Sequence, residues 1–164
     1  MQNMEDVYRT YAVPVKRYVL SLCNDNALAD DITAETFYKA IQHIDQFHDG
    51  KLFTWLCAIA RNTWLDAIKR KDYQNQPVSE ELESQIPHTA RSPEDACVQK
   101  DERLTLYRQI QRLEGEAKDV VYLRIFAELS FKEIGSILGK TENWARVIFY
   151  RSKEKLKGWM EDEN

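Results

Sequence analysis

The stretch LSFKEIGSILGKTENWARVIFYRSKEKL, residues 129–156, decides how the rest of the chain is read. Ser130 is followed three residues later by Glu133, the spacing of a reciprocal capping box at a helix start. The short helix this predicts, Phe131 to Leu138, runs into Gly139, which supplies a turn needing positive φ. Gly135 is small enough for a second helix to cross closely, and Thr141 caps that helix. Within it, Ala145, Phe149, Ser152 and Leu156 recur at spacings of four, three and four and form an inner face. Arg146, Tyr150, Arg151 and Lys153 are left facing outward, and Lys155 and Lys157 extend the basic run. Two helices so joined make a helix-turn-helix suited to DNA. An ordinary helical hairpin with a solvated basic face is the alternative that this segment alone leaves open.

Working outward, apolar residues recur at helical spacing on both sides of residues 72–102, and no run alternates as a strand would. We therefore expect an all-α chain. Its first 71 residues predict helices near 5–22, 27–45 and 52–70, the first beginning near Pro14 or kinking there. In the third, Phe53, Leu56, Cys57, Ala60, Trp64, Ala67 and Ile68 form one apolar stripe, while Trp55, Ile59, Asn62 and Asp66 share a second face. The last block predicts helices near 103–113, 116–126, 131–138 and 142–159. Between the blocks, residues 72–102 hold eight acidic against two basic side chains and three of the four prolines. With little to bury, this stretch reads as a flexible acidic linker. The expected organisation is a domain over 1–71, the linker 72–102, and a second domain over 103–160. Each domain is near the lower size limit for a self-sufficient core, so each should gain stability by docking.

The 164 residues carry 23 basic and 27 acidic groups, a formal charge of −4 that argues against nucleic-acid binding only until it is divided. Residues 118–158 have nine basic and five acidic groups, so the acidity lies mainly in the linker and tail. No apolar run is long enough to span a membrane, and MQNMEDVYRT lacks a signal-peptide pattern; we expect a cytoplasmic protein without membrane insertion. Cys23, Cys57 and Cys97 are dispersed, as reduced thiols used as small hydrophobes are. His43, His48 and His88 lack metal-ligand spacing, and no phosphate-binding glycine motif occurs. The sequence therefore predicts no enzyme, no cofactor and no metal; a site built from His43, His48 and Cys57 is a remote alternative.

Three segments in order give the chain its resemblance. ALADDITAETFYKAI (27–41), LFTWLCAIARNTWLDAIKRK (52–71) and VVYLRIFAELSFKEIGSILGKTENWARVIFYRSKEKLK (120–157) together resemble the extracytoplasmic-function type of bacterial RNA polymerase sigma factor. In that family the first segment binds core polymerase, the second melts and reads the minus-ten promoter element, and the third reads the minus-thirty-five element.

The resemblance places core binding on the face carrying Asp31, Glu35 and Tyr38, with Asp30, Phe37 and Ile41 supporting it. Two carboxylates beside an aromatic suit a basic, partly apolar partner helix, although without the resemblance a solvated acidic face would explain them. It places minus-ten contacts in the loop with His48 and Lys51 and on Trp55, Arg61, Asn62, Asp66, Lys69 and Arg70, with Trp64 in the core and Trp55 able to serve either way. Unstacked bases need aromatic surfaces, amides and backbone charge of this sort. For the minus-thirty-five element it points to Arg124, Lys132, Thr141, Glu142, Asn143, Arg146, Val147, Tyr150, Arg151 and Lys153, with Arg146 and Arg151 reading bases and Lys132 and Lys153 on phosphates. It also implies core RNA polymerase, promoter DNA and an anti-sigma protein as partners, and a role as an alternative sigma factor in a stress or envelope response.

The chain departs from the family at Lys140, at Glu114 and at Asn143-Trp144-Ala145-Arg146, which leaves the promoter sequence open; Trp144 is either a DNA-backbone contact or a lid on the helix pair. A helix-turn-helix regulator acting without polymerase would account for 120–157 and leave the first block without a task.

Overall fold

A computed structural model describes residues 3–47, 50–71 and 93–162. Among them the regular structure is helical throughout, as the periodicity predicts: α1 (Met4–Cys23), α2 (Asn26–Gln42), a 3-10 turn (Ile44–Gln46), α3 (Leu52–Lys71), α4 (Pro93–Gln111), α5 (Glu116–Ile125), α6 (Phe131–Leu138) and α7 (Glu142–Asp162).

Three boundaries differ from expectation for local reasons. Helix α1 is continuous through Pro14, with Asn3 capping its start and Asn24, at φ 53°, closing its end through an N–H bond to the Leu20 carbonyl. Helix α2 stops at Gln42, and the expected residues 43–45 pass into the 3-10 turn. Helix α4 begins at Pro93, inside the expected linker, whose last ten residues are thus helical. Ser92-Pro93-Glu94-Asp95 reads as a helix start, because proline suits the first helical position and early acidic residues suit the helix dipole. The linker residues 72–92 lie outside the described residues, as does His88.

Two cores form. One joins Val15, Val19, Ile32, Phe37, Leu56 and Ala60 from α1, α2 and α3. The other gathers Tyr107, Ile110, Val120, Leu123, Ile134, Ala145 and Leu156 from the C-terminal helices, and also takes in Tyr18, Leu22 and Cys57 from the N-terminal block. Helix α3 therefore serves both: Leu56 and Ala60 face one core and Cys57 the other. The two small blocks dock on each other. Cys23 and Cys57 are unpaired and buried, and burial pushes both thiols up, that of Cys23 to about 11, so they behave as apolar groups. No helix among the described residues is long and apolar enough to cross a membrane.

Candidate functional site

The helix-turn-helix forms as its local chemistry dictates. The Ser130 N–H donates to Glu133 Oε1 at 3.0 Å and the Ser130 hydroxyl accepts from the Glu133 N–H at 3.1 Å. Gly139 closes α6 at φ 69°. At Gly135 a Cβ would lie 2.7 Å from the Lys140 carbonyl oxygen and 2.9 Å from that of Thr141, so the turn folds back against bare backbone. Thr141 Oγ1 accepts from the Trp144 N–H at 3.0 Å and starts α7.

Along α7, Ala145, Ser152 and Leu156 are buried, while Arg146, Val147, Tyr150, Arg151 and Lys153 are exposed, together with Glu142, Asn143 and Lys132. Phe131 organises the near end of this surface. The guanidinium of Arg124 sits 4.2 Å and that of Arg146 5.4 Å from its ring centre, and the Tyr150 ring lies 6.1 Å away. Arg124 also donates to the Leu129 carbonyl at 3.0 Å, so this half-buried residue braces the entry to α6. Trp144 is half-buried against the core with Lys140 Nζ 5.6 Å from its ring.

On α2, Asp30, Asp31, Tyr38 and Ile41 are exposed and Glu35 is partly so; Tyr38 keeps 63% of its surface. Asp30 pairs with Lys16 at 2.8 Å and Glu35 with Lys39 at 3.6 Å. Phe37 does not belong to this face. It is 4% exposed, packs edge-on against Tyr8 at 5.0 Å, and lies in the core with Ile32 and Ala40. One residue along a helix turns the side chain by about 100°, enough to separate Phe37 from Tyr38.

The loop before α3 opens on a cavity of about 650 Å³ lined by Phe47, Gly50, Lys51, Trp55 and Lys132 among others, with Trp55 half-buried beside the Phe47 ring at 5.4 Å. His48 lies outside the described residues. Asn62, Asp66, Lys69 and Arg70 are exposed on α3, and Asn62 borders a second hollow of about 230 Å³ with Trp55 and Lys39. Trp64 packs against both cores, as its place on the apolar stripe predicts.

Arg61 does not face solvent. Its side chain is 11% exposed; Nε donates to Asp119 Oδ2 at 2.8 Å, and a terminal nitrogen lies 3.5 Å from Glu116. Burial pushes the Asp119 carboxyl up to about 6 even with Arg61 beside it drawing it down. Lys51 stays exposed, 3.5 Å from Glu133, whose other oxygen accepts from the Thr54 hydroxyl at 2.7 Å. Asp119, Glu116, Thr54 and Glu133 are partners that sequence reading misses. The one available signal is Asp119 itself, a carboxylate directly before the apolar run Val120-Val121-Tyr122-Leu123.

Residues 7–73 match the family model described as sigma-70 region 2. The chain is 33% identical over 142 residues to the ECF RNA polymerase sigma factor SigW of Bacillus subtilis, covering 82% of this chain and 76% of that protein. The chain belongs to the extracytoplasmic-function sigma factors. SigM of the same organism is 29% identical over 155 residues, covering 94% of this chain and 93% of that one. Its fold is shared with RpoE of Bartonella quintana, solved in complex with the anti-sigma factor NepR, at a TM-score of 0.69 and 16% identity over 98% of this chain and 99% of that one. Extracytoplasmic-function sigma factors are regulatory proteins of transcription initiation rather than catalysts.

Proposed function

We propose that this sigma factor docks on core RNA polymerase through the exposed face of α2, with Asp31, Glu35, Tyr38 and Ile41, and addresses promoters through two DNA-facing surfaces. Helix α3 and its preceding loop supply Asn62, Asp66, Lys69, Arg70 and the aromatic hollow at Trp55 for unstacked minus-ten bases. Helix α7 lies in the major groove at the minus-thirty-five element, where Arg146 and Arg151 read base edges and Lys132 and Lys153 hold phosphates. Arg124 acts by bracing α6. An anti-sigma protein is the regulatory partner, competing for these faces in the cytoplasm. The exposed Arg146, Tyr150, Arg151 and Lys153 on a helix whose opposite face is buried carry the reading.

Run-off transcription with sigma-free core polymerase tests it. The chain should direct initiation from a subset of promoters of its source genome, and initiation from none would overturn the reading.

A further inference from the structure

Three aromatic rings lie together where α6 meets α7. The ring centres of Phe131 and Phe149 are 5.5 Å apart, those of Phe131 and Tyr150 6.1 Å, and those of Phe149 and Tyr150 5.3 Å. Three cations accompany them: Arg124 and Arg146 on Phe131, at 4.2 and 5.4 Å, and Lys153 on Tyr150, at 5.8 Å. The face of such a ring is electron-rich and attracts a cation within about 6 Å of its centre.

The two arginines on Phe131 are held differently. Arg124 is half-buried and donates to the Leu129 carbonyl at 3.0 Å, so the turn into α6 fixes it. Arg146 keeps 45% of its side chain exposed, and its other neighbour is Glu142, one helical turn earlier, at 3.9 Å. An exposed pair at that distance holds an arginine weakly. Phe131 is the firmer support. It is 8% exposed, belongs to the C-terminal core, and is the first residue of α6, directly after the capping box at Ser130. Arg151, further along the same exposed surface of α7, has no ring beside it among the described residues.

We propose that Phe131 is a positioning residue for promoter readout: its ring holds the Arg146 guanidinium in the orientation that reads a base edge, whereas Arg151 reads its own base without such help. The inference rests on the proposed function, which gives both arginines their task. A long side chain loses freedom when it binds, and one already held over a ring has lost part of that freedom beforehand. The guanidinium fork must also meet the acceptors of a guanine in one plane, whereas a phosphate takes a cation from many directions. Loss of the ring therefore acts on the choice of base more than on general attraction to DNA.

The test uses the full chain assembled with core polymerase, on promoter duplexes in which each base pair of the minus-thirty-five element is changed in turn. Arg146→Ala and Arg151→Ala identify the base pair that each arginine reads, as the one whose change ceases to matter. Phe131→Leu keeps an apolar side chain in the core and removes the ring. It should lower discrimination at the Arg146 base pair by about two- to fivefold, the range of an exposed cation–π contact, and leave the Arg151 base pair as it was. Phe131→Tyr should restore the loss, and in the Arg146→Ala background Phe131→Leu should change discrimination no further. Phenylalanines carrying progressively more fluorines at position 131 retain the ring while withdrawing electrons from its face. They should give a graded loss at the Arg146 base pair, and they decide the matter should Phe131→Leu fail to fold. Equal losses at both base pairs would make Phe131 a packing residue and overturn the inference, as would full discrimination by a folded Phe131→Leu or the lack of any trend with fluorination. A wild-type holoenzyme indifferent to every base pair of the element would instead overturn the proposed function, and the inference with it.

Discussion

Asp119 is a carboxylate sealed between helices, faced by Arg61 from α3, by Tyr18 from α1, and by Lys118 and Glu116 from its own helix. Burial raises its carboxyl from the ordinary 3.8 to about 6, while Arg61 and Lys118 oppose the shift. A group with a raised pKa favours the packed state fully below its free value and loses that contribution as pH rises through the packed one. Contact between the two units should therefore weaken as pH rises from about 4 to about 6. Thermal unfolding of wild type across that range should show a loss of stability that levels off above about pH 6, and Asp119→Asn should flatten it. Gly135 offers a test of a different kind. A methyl group there meets two backbone carbonyls that no rotamer change can move, so Gly135→Ala should cost about 1–3 kcal/mol in thermal or denaturant unfolding, as overpacking does.

At the scale of elements, α2 and α7 each present one exposed face, to which the proposed function assigns a task. Reversing two charges on α2, Asp31→Arg with Glu35→Arg, should weaken co-elution with core polymerase and leave duplex binding by the helix-turn-helix intact. Arg151→Ala on α7 removes a base-edge contact expected to be worth about 1–3 kcal/mol, so use of the cognate promoter should fall while core affinity is kept. Equal loss in both assays would make Arg151 a structural residue. The helix-turn-helix was legible because its instructions are local: the Ser130–Glu133 box, Gly139 and the inner face from Ala145 to Leu156 all lie within one stretch of sequence. Helix α2 was harder, since Phe37 and Tyr38 are both aromatic and adjacent and their opposite fates depend on Tyr8 and Ile32. The start of α4 was hidden in the acidic composition around it.

For the whole molecule, the joint between units was illegible. Arg61 meets Asp119 across 58 positions, Thr54 meets Glu133 across 79, and no periodicity connects residues so far apart. Only the shortage of core in each block hinted that it would dock. Because Cys57 of α3 lies in the core of the other unit, the blocks should melt together: calorimetry and far-ultraviolet circular dichroism should give one coincident transition for the full chain, and two resolved transitions would mean that the cores are independent. Glu133 shows what such sharing does to heredity. One of its oxygens closes the capping box at the start of α6, and the other holds Thr54. One substitution at Glu133 is therefore inherited as two lesions, the loss of the tie to Thr54 and the loss of the cap that starts α6.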